Sequence, residues 1–192
     1  MKMDVFGRRE GTGMLNLEKL TEQGMECGFT HVKFLDASTI QLMPEVRAMC
    51  EKNSCGRYGN NWCCPPGVGD LDSCRAIIGQ YKEGILVQTV GELEDPLDGE
   101  GMMETQEAHL KNFEKLRERL LKEYPGMLSC GAGTCTRCSK CTYPDAPCRF
   151  PDNTFASMEA YGMLVTQVCQ ANDLPYYYGP GTIAYTSCFL LA

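Results

Sequence analysis

The sequence predicts an α/β fold: a single compact domain over residues 1–192, with a mixed sheet, helices and two cysteine-rich loops at about 50–74 and 130–151. Three observations carry this expectation. Segments with helical periodicity alternate with segments rich in strand formers, the pattern of an α/β domain. The apolar content of 43% supplies a core of ordinary size. Most of the 13 cysteines crowd into two stretches whose glycines and prolines forbid long regular elements.

Residues 16–27 predict a short helix, with Asn16 as its cap and Gly28 at its end. In FTHVKFLD, Val32 and Phe34 alternate with His31, Lys33 and Leu35, which predicts a strand. Pro44 is suited to open the helix PEVRAMC, which delivers Cys50 to the first loop. Asp70 can cap the next helix, where Leu71, Cys74, Ile77, Ile78 and Tyr81 recur on one face. GILVQTV follows as a strand.

After an acidic stretch, residues 104–123 form the clearest helical pattern. Leu110, Phe113, Leu116, Leu120 and Leu121 line one side, with Glu107/Lys111 and Glu118/Lys122 paired on the other. Beyond the second loop, Ser157 is expected to cap a helix burying Met158, Tyr161, Leu164, Val165 and Val168. The final TIAYTSCFLLA reads as a strand.

The formal charge is −7, from 25 acidic and 18 basic residues, so a phosphate backbone is repelled and nucleic acid is not expected as a partner. The start, MKMDVFGRREGTG, lacks the apolar core of a secretory signal, and nowhere do 18 apolar residues run together. A cytoplasmic protein with no membrane partner is expected. In that compartment thiols stay reduced, so clustered cysteines point to metal ligands rather than disulfides. Only His31 and His109 supply imidazole, which leaves thiolates as the main donors.

The second loop carries the stronger signal. In CTRCSKCTYPDAPCRFP, Cys135, Cys138 and Cys141 form a C-x-x-C-x-x-C run, and Cys148 follows. Two-residue spacers let successive thiolates wrap a compact 4Fe–4S cluster, as in ferredoxins. Zinc is the rival, although its sites more often pair two knuckles across a longer gap. In the first loop, Cys50, Cys55, Cys64 and Cys74 are candidate ligands. Cys74 lies on an apolar helix face, which equally suits a core cysteine. Cys63 is not expected to bind, because its side chain and that of Cys64 point opposite ways, and only Cys64 is held against Pro65-Pro66. Arg57, Arg137, Lys140 and Arg149 flank the loops and could offset cluster charge. Cys169 and Cys188 read as core residues, and Cys130 as a spare candidate.

RAMCEKNSCGRYGNNWCCPPGVGDLDSC, LSCGAGTCTRCSKCTYPDAPCRFPD, SMEAYG and PYYYGPGTIAYTS together resemble a cysteine-rich family, catalogued as predicted metal-binding proteins, largely of anaerobic bacteria and archaea. The resemblance runs from about residue 27 to the end. Its W-x-C-P-P motif falls on Trp62, Cys64, Pro65 and Pro66, with Cys63 the extra residue, and its remaining motifs fall on Cys135, Cys138, Cys141 and Cys148. It implies metal binding and no particular reaction.

The function expected first is electron transfer, or a redox subunit, with two iron–sulfur clusters, probably paired with a redox partner protein. A zinc- or iron-binding structural or metal-handling protein is the second reading. An iron–sulfur enzyme with an open iron site is the third. No dinucleotide fingerprint, P-loop or H-E-x-x-H motif supports another class of enzyme, and GAGTC leads into cysteines rather than a helix.

Overall fold

The computed structural model describes residues 15–191; the amino-terminal stretch read for a targeting signal lies outside them. Helix α1, Leu17–Cys27, begins where the Asn16 side chain accepts the Lys19 N–H and ends at Gly28, whose φ of 106° suits a residue without Cβ. Strand β1, His31–Asp36, follows. Helix α2, Pro44–Glu51, opens on its proline, and α3, Leu71–Ile78, on Asp70, whose carboxylate accepts the Ser73 N–H. Strand β2 is Glu83–Glu92.

Helix α4, Gly99–Glu123, starts five residues earlier than its apolar pattern predicts, because Asp98 caps it by accepting the Gly101 N–H at 2.9 Å. Glu107 and Lys111 form their expected pair at 3.9 Å; Glu118 and Lys122 are not among the ion pairs of the described residues. The chain continues through β3, Leu128–Gly131, and β4, Ala156–Ser157, to helix α5, Val165–Ala171, and strand β5, Thr182–Leu191.

The helix expected from Ser157 onward is two pieces. Ser157 Oγ does accept the Ala160 N–H, but the turn it caps is a 3-10 turn, Glu159–Tyr161. Gly162, at φ 94°, then turns the chain into a left-handed conformation that no helix continues through, and α5 starts afresh. Strands β3 and β4 are too short for periodicity to reveal. Because β3 contains Cys130, the second irregular loop starts after Gly131.

The sheet order is β1-β2-β5-β3-β4, antiparallel except for the β3–β4 pair. Alternate residues of the central strands enter opposite cores. Ile85, Val87, Phe189 and Leu191 pack with Leu20, Phe113, Leu116 and Leu120 from α1 and α4. Leu86, Cys188 and Leu190 pack on the other face with Cys74, Met158, Met163 and Cys169. Burial on both faces explains why β2 and β5 read as unbroken apolar runs. Among the described residues, no helix is long and apolar enough to cross a membrane.

His109 lies within this core at 2% exposure, its Nδ1 3.0 Å from Thr89 Oγ1 and its Nε2 2.7 Å from Ser187 Oγ. Burial lowers its pKa from 6.5 to about 4. The unfolded chain therefore takes up this proton first on acidification. The stability contributed by neutral His109 is whole above the unfolded pKa and falls as pH drops towards the folded one. Between about pH 7 and pH 5 the loss is expected to be about 2 kcal/mol. Urea unfolding of the parent and of His109→Gln checks this: the parent should lose that much more stability over the interval, and equal losses would rule out His109 as the source.

Candidate metal centre

The first loop leaves α2 at Cys50 and returns at Asp70, held in turns by short-range polar contacts. Asn53 Oδ1 accepts the Tyr58 N–H at 3.0 Å, and the Gly59 N–H reaches Pro65 O at 2.9 Å. Arg47 of α2 ties the loop down. Its guanidinium donates to Ala160 O and Gly69 O, each at 2.6 Å, and reaches Cys74 Sγ at 3.7 Å.

Cys50, Cys55 and Cys64 line one wall of a cavity of about 720 Å³. They lie within electrostatic reach of one another. Burial pushes the Cys50 thiol up, Arg47 opposes it, and Cys64 and Cys55 push it further. Burial likewise raises Cys64, against a hydrogen bond with Thr134, whose Oγ1 is 2.9 Å from Sγ. Cys74, expected in this group, does not line the cavity. It is fully buried on α3 in the core, its thiol raised by burial and lowered by Arg47.

The adjacent Cys63 faces the other way. It joins Cys135, Cys138, Cys141 and Cys148 around a narrow pocket of about 20 Å³. Its hydrogen bond to the Cys135 sulfur lowers the Cys135 pKa to about 6 and pushes its own upward. Asn61, 4% exposed, clamps the two loops together: its Oδ1 accepts the Cys63 N–H at 2.8 Å and its Nδ2 donates to Cys135 O at 3.1 Å. Trp62 adds a bond from Nε1 to Ala146 O at 3.1 Å and an edge-on contact with Tyr143, centroids 4.8 Å apart.

The second loop is anchored from α4. Arg117, buried, donates to Ser129 Oγ and Asn153 Oδ1 at 3.0 and 2.9 Å, and to the carbonyls of Asp152 and Thr154. Arg137 pairs with Glu114 at 2.6 Å and donates to Asn153 O, so its charge is already engaged by protein. The Phe150 N–H points to Cys148 Sγ at 3.4 Å, the kind of contact that stabilises a thiolate ligand.

Cys27, Cys130, Cys169 and Cys188 stand outside both groups. All four are buried, and Cys130 and Cys188 are register partners across β3 and β5. Asn61, Arg47 and the turn of Cys63 towards the second loop were not foreseen from sequence. The opposite facing of adjacent residues was the available signal for the last of these.

The donor chemistry fits a thiolate-bound metal or iron–sulfur group: three thiols in one group and five in the other, drawn from separate parts of the chain. Among the described residues, no three His, Cys, Asp or Glu side chains converge closely enough to clasp one ion. A multi-metal cluster holds its thiolates farther apart than a single ion does. The second pocket is about the size of one water site, so such a group enters only as that loop opens.

No curated protein and no solved structure matches the chain. A family model does match, over residues 33–191, and its residues include every cysteine of both groups. The chain belongs to the family of predicted metal-binding proteins designated DUF2284.

Proposed function

We propose that the protein is a redox protein carrying two iron–sulfur clusters of the 4Fe–4S type, passing electrons to and from a partner protein. The first would rest on Cys50, Cys55 and Cys64, and the second on Cys135, Cys138, Cys141 and Cys148. The observation that carries this reading is the Cys63–Cys64 dipeptide. It places two separate thiol groups on opposite sides of one peptide unit, close enough for electrons to pass between metal centres bound there. The C-x-x-C-x-x-C spacing favours a cluster over zinc.

When bound, such clusters supply one-electron chemistry that side chains cannot. The chain's own residues hold and orient the ligands: Asn61 fixes the two loops against each other, and Arg117 fixes the exit of the second. Arg57 beside Cys64 offsets negative charge at the first group.

Anaerobic purification with metal and sulfide analysis tests this. About eight iron and eight acid-labile sulfide per chain are expected, with brown absorbance that bleaches on reduction. Stoichiometric zinc without labile sulfide would sink the reading.

A further inference from the structure

The third reading of the cysteine pattern, an open iron site, gains a specific observation from the cavity, and the inference rests on the iron–sulfur reading above. We infer that the 720 Å³ cavity is a ligand pocket in which a small thiol from solution completes the donor set left at three by Cys50, Cys55 and Cys64.

The first premise is the position of Cys74. It is the fourth cysteine of the loop by sequence, yet it is fully buried among core residues, its Sγ receives the Arg47 guanidinium at 3.7 Å, and it does not reach the cavity wall. Arg47 is itself held by two carbonyls at 2.6 Å, so moving Cys74 into the group would disturb the tie between α2, the loop and the 3-10 turn. A group that binds a four-iron cluster with three cysteines leaves one metal position for another donor.

The second premise is the space beside those thiols. Its volume lies within the range of ordinary small-molecule sites. Leu110, Val165, Ile183 and Tyr185 contribute apolar wall, while its charged side chains are one cation, Arg57, against Glu107 and Glu159. With two carboxylates and a cluster of negative charge, an anionic ligand is not selected. A molecule that is neutral in solution, apolar in body and equipped with one soft donor is. A small thiol meets all three conditions, because sulfur is the donor that iron–sulfur centres take in preference to oxygen. On binding, the S–H bond breaks, an iron–sulfur bond forms, the proton passes to solvent and no electron is transferred.

The test uses the full chain isolated anaerobically, with 2-mercaptoethanol as probe and ethylene glycol as its oxygen analogue. The EPR spectrum of the reduced protein should change saturably with 2-mercaptoethanol and not with ethylene glycol, and the response should vanish in Cys64→Ser. Because a proton is released, apparent affinity should rise roughly tenfold per pH unit between about pH 6 and 8. Cys74→Ala should keep the full iron content and the same response. A protein with about eight iron but no response overturns the inference and leaves the iron–sulfur reading standing. Loss of half the iron in Cys74→Ala, with the second cluster intact, identifies Cys74 as the fourth ligand and also overturns it. Should that variant fold poorly, the parent's thiol response and its pH dependence decide alone. A protein without iron and sulfide defeats the underlying reading instead.

Discussion

Removing the metal should loosen the two cysteine loops and lower the thermal midpoint by roughly 8 to 16 °C. Residues 52–70 and 132–150 contain turns but no helix or strand, and most of their side chains are exposed. Their order rests on a few clamps: Asn61, Trp62 and Arg47. Such segments bury too little apolar surface to offset their conformational entropy. Structural metal sites contribute apparent binding energies of about 10–16 kcal/mol, part of which is folding energy. A loss of about 4 kcal/mol, a fraction of that, gives the stated shift at about 2–4 °C per kcal/mol for a chain of this size.

The loss should be local, since the cores on the two faces of the sheet contain no residue of either loop except Cys63, Val68 and Cys135, together with the Cys64-free ends. Trypsin should therefore nick the metal-free protein at exposed Lys52, Arg57, Lys140 and Arg149 while the fragments bearing β2, β5 and α4 stay together. Scanning calorimetry and limited proteolysis before and after chelation check both parts. An unchanged midpoint with uncut loops would show that the loops order themselves without metal.

Much of the scaffold was legible because local and tertiary demands agree. Asn16 and Gly28 mark the ends of α1 whatever packs against it, and Pro44 and Asp70 do the same for α2 and α3. The apolar runs of β2 and β5 announced strands covered on both faces. Strands β3 and β4 were hidden because four and two residues carry no period, and they exist through pairing with β5 and each other. Gly162 was hidden for another reason: apolar residues on both sides keep helical spacing, and only the left-handed turn shows that the helix breaks. At the cysteine loops, spacing nominated the thiols, but partition between groups depends on side-chain direction. Cys74 illustrates this, since its helix face suits ligand and core equally until Arg47 is seen against it.

Cys63 and Cys64 give the sharpest test of that partition. Cys64→Ser should lose about half the iron, because Cys64 is one of only three thiols on the cavity wall and a serine hydroxyl is a poorer donor to iron. Cys63→Ser should keep the full iron content. Cys63 already has a role as a hydrogen-bond partner of Cys135, and two thiolates binding one cluster are held apart by it, whereas this pair is in direct contact. Replacing its thiol alters a contact to a ligand rather than a ligand. The second cluster's potential should therefore shift while its iron remains. Iron and sulfide analysis with redox-titrated EPR reads both quantities on both variants. If Cys63→Ser empties the second site, Cys63 is itself a ligand there and the run Cys135, Cys138, Cys141 closes on it. If Cys63→Ser instead empties the first site while Cys64→Ser retains all its iron, the two side chains face opposite to the directions that the Asn61 clamp and the Thr134 contact give them.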